Sequence, residues 1–99
     1  MKSIRITNRP SGQAPDWVRE QWVGVVIPLA SQEVKGIQLG TDGGLPDPRN
    51  INGYHVSTAE AINAVEAKSP EAANWWRKNL PLAHCPQLVF GREFCEVVE

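Results

Sequence analysis

The chain has 99 residues, a formal net charge of -1 and 41% hydrophobic residues, which places it with globular sequences rather than disordered or fibrous ones. No apolar run approaches the roughly 18–20 residues of a membrane span. A balance of 10 basic against 11 acidic residues also lacks the cationic excess on which non-specific nucleic-acid binding depends.

Length and composition fit one domain over residues 1–99, with a core small enough that a dimer interface would help it. The first residues, Met1 to Thr7, contain no 7–15-residue apolar stretch of the kind found in a signal peptide, so a cytoplasmic location is expected. Reduced thiols at Cys85 and Cys95 follow from that compartment. Ile4 and Ile6 alternate with Arg5 and Thr7, the pattern of a half-buried strand. Lys2, Arg5 and Arg9 leave the first nine residues basic, whereas Glu93, Glu96 and Glu99 outnumber Arg92 at the other end. Two terminal strands side by side in one sheet would match these charges.

Pro10 to Pro15 reads as a turn, and Pro15 followed by Asp16 and Glu20 suits a short helical turn. The run Trp22 to Leu29 is dense in β-branched residues and apolar on both faces, as expected of a central strand, with Pro28 ending its ladder. A weaker strand from Val34 to Leu39 is expected to form an antiparallel hairpin with it. Residues 40–53 are rich in Gly, Pro, Asp and Asn and read as one long loop.

Order resumes at Tyr54-His55-Val56. Ser57 and Glu60 have capping-box spacing for a helix over 57–68 that buries Ile62 and Val65 beside Ala61. Ser69 and Pro70 start a second helix over 70–79, with Ala72, one of Trp75 and Trp76, and Leu80 on its inner side. Residues 80–86 form a connector. Gly91-Arg92 suits a type II′ turn between two final strands, placing Phe90 opposite Glu93, Val89 opposite Phe94 and Leu88 opposite Cys95. The class is α+β: a small twisted antiparallel sheet or partly open barrel of about five strands, with the helix pair packed on one side.

Chemistry concentrates around the long loop. Asp42, Asp47 and His55, with Arg49 between them, supply the residue types of a general acid–base or metal site, although Asp-Gly and Asp-Pro pairs are equally common in turns. Gly40 to Gly44 resembles a phosphate cradle only loosely, because no Lys-Ser/Thr follows and no helix opens there. His84, Cys85 and Cys95 lack the paired spacing of structural zinc. Cys85 has no identifiable cation or helix N-terminus to lower its pKa as a nucleophile. No cofactor and no metal is implied.

Four tryptophans are the compositional excess. Trp75 and Trp76 stand about 100° apart on their helix, so a single buried face accommodates both poorly. The indole at the edge would be an interface anchor, with Arg77 and Lys78 beside it. The competing reading is core packing plus a solvated cationic helix end. The leading expectation is a non-catalytic protein-interaction or regulatory module that binds a protein partner, a second copy of itself included, through Trp75, Trp76, Arg77 and Lys78. One alternative is a small enzyme or ligand-binding domain using Asp42, Asp47, His55 and Cys85. The other, which the charge balance disfavours, is a nucleic-acid module using Arg5, Arg77, Lys78 and Arg92.

Overall fold

Ile4 and Ile6 point into the core from the first strand, β1 (Ser3–Ile6), and both are fully buried while Arg5 between them is exposed. The computed structural model describes residues 2–10, 14–32, 37–39, 53–80 and 86–99. After β1 come α1 (Asp16–Arg19), a 3-10 turn at Glu20–Trp22, β2 (Val26–Pro28) and β3 (Ile37–Leu39). Then follow β4 (Gly53–Ser57), α2 (Thr58–Glu66), α3 (Pro70–Asn79), β5 (Gln87–Gly91), a second 3-10 turn at Arg92–Phe94 and β6 (Cys95–Val98).

The fold is α+β. Five of the strands pair antiparallel, in the orders β2-β1-β6 and β5-β4, and β3 joins the free side of β5 in parallel. These two three-stranded sheets do not close into a barrel among the described residues. One hydrogen bond, from Ala30 N–H to the His55 carbonyl at 2.8 Å, ties the chain just beyond β2 to β4.

The expected neighbourhood of the two terminal strands is present. β6 runs antiparallel to β1 with Arg5 opposite Glu96, and the guanidinium reaches that carboxylate at 2.7 Å. The helix starts also follow their local signals. The Ser57 hydroxyl accepts from Glu60 N–H at 3.4 Å, and the Ser69 hydroxyl accepts from Ala72 N–H at 3.2 Å, with Pro70 in the first turn. A cap of this kind is worth about 1 kcal/mol. Burial of Ile62 and Val65, at about 1.5–3 kcal/mol each, outweighs it in holding α2 in place.

Three strand expectations are corrected. Trp22 to Leu29 is not a central strand: Trp22 closes a 3-10 turn, and β2 is a three-residue edge strand whose Val26 is exposed. Gly24 is responsible, since its φ of 88° lies in the left-handed region and turns the chain between Trp22 and β2. The hairpin between β2 and the Val34–Leu39 run is absent, because β3 pairs instead with β5 in register Ile37 to Leu88. A parallel pair requires a long crossover, and β4, α2 and α3 supply it. The hairpin at Gly91-Arg92 is absent as well. Gly91 has φ -56°, whereas a type II′ turn needs a positive value there, so Arg92–Phe94 forms a 3-10 turn that carries the chain from one sheet to the other. Phe90 consequently faces Tyr54, Leu88 faces Val56, and Cys95 faces Ile6.

The core lies where α2 and α3 cover the sheets. Ile4, Ile6, Ile27, Val56, Leu88 and Phe90 from the strands meet Ile62, Val65, Ala72 and Trp76 from the helices, with Trp22 fully buried among them.

Candidate functional site

An aromatic chain runs through this core. The Trp22 ring lies 5.1 Å from Phe90 in an edge-on arrangement and 5.7 Å from Trp76, and Trp76 lies 5.0 Å edge-on to Trp75. Such tilted pairs align the positive ring edge with a neighbour's negative face. The indole N–H groups of Trp22 and Trp76 are buried without a hydrogen-bond partner among the described residues. Trp22 thereby settles which of the adjacent α3 indoles goes inside: Trp76 is buried against it, and Trp75 is half-buried at the margin of the core.

The exposed indole is Trp17, at 47% of its full accessibility. It sits on α1, whose single turn buries only Val18 and which lies against α3. Arg19 anchors that turn by donating to the carbonyls of Ala14 and Pro10 at 2.8 and 3.1 Å and by pairing with Asp16. At the far end of α3, Arg77 donates to Glu66 at 2.5 Å and to Asn63 at 3.2 Å, while Lys78 is exposed. The Arg77 bond holds the Glu66 carboxyl below its ordinary range, and the same bond raises Arg77. Of the cations considered for a nucleic-acid strand, Arg5 and Arg77 are therefore already joined to carboxylates.

A second region forms beside β4. His55 and Gln87 lie diagonally on one face of the β4–β5 ladder, both buried, with His55 Nδ1 3.1 Å from Gln87 Oε1. The Gln87 amide nitrogen donates to the Gln32 carbonyl at 2.6 Å, which leaves Oε1 as the acceptor and puts a proton on His55 Nδ1. On the other face Tyr54 packs against the core, and the Arg92 guanidinium carbon lies over its ring, 4.9 Å from the centroid. Leu29, Ala30, Gly53, Tyr54, His55 and Arg92 line one cavity of about 240 Å³.

His55 is the one residue of the expected loop constellation placed by the structure; Asp42, Asp47 and Cys85 lie outside the described residues. Cys95 is a free thiol, half-buried in β6. Burial, with a smaller contribution from the Glu93 charge, pushes its pKa up to about 12. Among the described residues no three His, Cys, Asp or Glu side chains are placed to hold a metal ion, and no helix is long and apolar enough to cross a membrane.

Sequence reasoning assigned Trp17 and Trp22 together to packing at the helix-to-strand junction, whereas the structure buries Trp22 and exposes Trp17, and it passed over the Tyr54–Arg92 contact. Trp17 gave a weak signal, a large aromatic on a helix too short to show a periodic apolar face. The Tyr54–Arg92 contact depends on a turn read as a hairpin. No family model, curated protein or solved structure matches this chain.

Proposed function

We propose that this chain is a non-catalytic protein-interaction module whose contact surface is built on α1 and the neighbouring outer side of α3. The observation that carries this reading is the exposure of Trp17, 47%, on a helix lying against α3. A large rigid side chain with an apolar face and one N–H donor gives much contact area at little entropic cost, which is why tryptophan is enriched among residues that dominate binding. Trp75, half-buried on α3, and the exposed Lys78 extend the same reading. Trp76 supports the surface from beneath through its contact with Trp75. The partner is a protein, a second copy of the chain included, and the compartment proposed is the cytoplasm, where a free Cys95 thiol persists.

The test is affinity capture of partners with wild type, Trp17→Ala and Trp75→Ala, alongside light scattering of each purified chain. The reading expects a partner, or a dimer, that the wild type forms and that Trp17→Ala weakens by about tenfold or more. Equal capture and equal mass for all three folded proteins contradicts it.

A further inference from the structure

Four of the five described arginines hold a carboxylate: Arg5 on Glu96, Arg9 on Glu20, Arg19 on Asp16 and Arg77 on Glu66. Among the described residues Arg92 has no acidic partner, and it lies over Tyr54 instead. A guanidinium drawn to a ring face gives up none of its N–H donors to it, so among the described residues the fork that matches a carboxylate remains uncommitted.

Backbone geometry fixes this cation at the rim of the 240 Å³ cavity. Gly53 pairs with Gly91 and Tyr54 with Phe90, so Arg92 leaves the ladder immediately beyond its last rung and returns beside Tyr54. The ladder is close enough there that a Cβ on Gly53 would lie 2.5 Å from the Phe90 carbonyl oxygen. The hydrogen bond from Ala30 N–H to the His55 carbonyl holds the opposite wall against β4.

We propose that this cavity binds a small organic carboxylate, with Arg92 taking the carboxylate and Leu29 and Ala30 flanking a short hydrocarbon part. The volume falls below the 300–1,000 Å³ usual for drug-sized ligands, which suits an acid of a few carbons. Among the described residues Arg92 is the cation that lines the cavity, with no second Lys or Arg to share the charge of a phosphate dianion, which favours a monoanion. This site shares no residue with the α1–α3 surface and stands or falls apart from it.

The experiment is a titration of the isotope-labelled full chain with sodium butyrate at constant ionic strength, followed by backbone amide shifts. Inorganic phosphate is the comparison ligand. The proposal expects saturable shifts at Ala30, Tyr54, His55 and Arg92, a dissociation constant about tenfold or more weaker in Arg92→Gln, and an unaltered one in Arg5→Gln. Arg92→Lys, which keeps the charge and loses the fork, falls between; it serves as the test variant if Arg92→Gln does not fold. Absence of saturable shifts in the wild type, or equal binding by wild type and the Arg92 variant, overturns the site. Phosphate binding as tightly as butyrate overturns the carboxylate assignment.

Discussion

Trp22 touches Phe90 on one side and Trp76 on the other, so truncating it removes contacts to a sheet and a helix together. Trp22→Ala is expected to cost about 3–5 kcal/mol, the range for a large aromatic lost from a packed core. Trp17→Ala, outside the core, should stay within about 0.5 kcal/mol. Chemical denaturation of both variants checks the contrast, and similar losses for the two would show that the indoles are not partitioned in this way. Cys95 gives a second prediction at this scale. With its pKa pushed up to about 12, almost no thiolate exists in the folded chain at pH 8. Alkylation by iodoacetamide, located by peptide mapping, should therefore be at least about tenfold slower at Cys95 in the native protein than in the denatured one. The sign of the linkage follows: a thiol raised on folding contributes stability below its unfolded pKa and loses it as pH rises towards 12.

α2 and α3 were legible because their signals are local. Ser57 with Glu60 and Ser69 with Pro70 mark both starts within a few residues, and Ile62 and Val65 mark the inner face. Which of Trp75 and Trp76 turns inward was not legible, since a spacing of about 100° leaves the choice to whatever lies opposite, and that is Trp22 from a distant turn. The Arg77–Glu66 pair clasps the two helices together and gives the prediction at this scale. Because the pair lowers the Glu66 pKa, its contribution is fully present above the ordinary glutamate value near 4.5 and is lost as pH falls through the lower, folded value. Denaturation of wild type and Glu66→Gln across pH 6 to 3 should show the wild-type advantage shrinking in the acid range. An advantage independent of pH would mean the bond carries no charge-dependent stability. Both side chains are well exposed, so the effect is small and falls further with salt.

For the whole molecule, strand pairing was the part least accessible to sequence. Local patterns place strands near Ile4, Leu88 and Val97 and mark Tyr54 to Val56 only as a return of order, where the structure forms β4; the partner of each strand is chosen by distant residues. Adjacent β5 and β6 belong to different sheets because Gly91 keeps a negative φ and passes the chain through a 3-10 turn. The β1–β6 pair was the exception, since complementary end charges signalled it and the Arg5–Glu96 bond realises it. The same logic governs the candidate sites. Trp75, Arg77 and Lys78 followed from a helix that could be read directly, whereas Tyr54 meets Arg92 only through the misread turn. The interaction surface depends on the separation of Trp17 from the aromatic core, and acrylamide quenching of wild type and Trp17→Phe measures that separation directly. The larger part of the quenchable emission should disappear with Trp17→Phe; an unchanged quenchable fraction in the variant would contradict the placement of Trp17 and the interaction surface built on it.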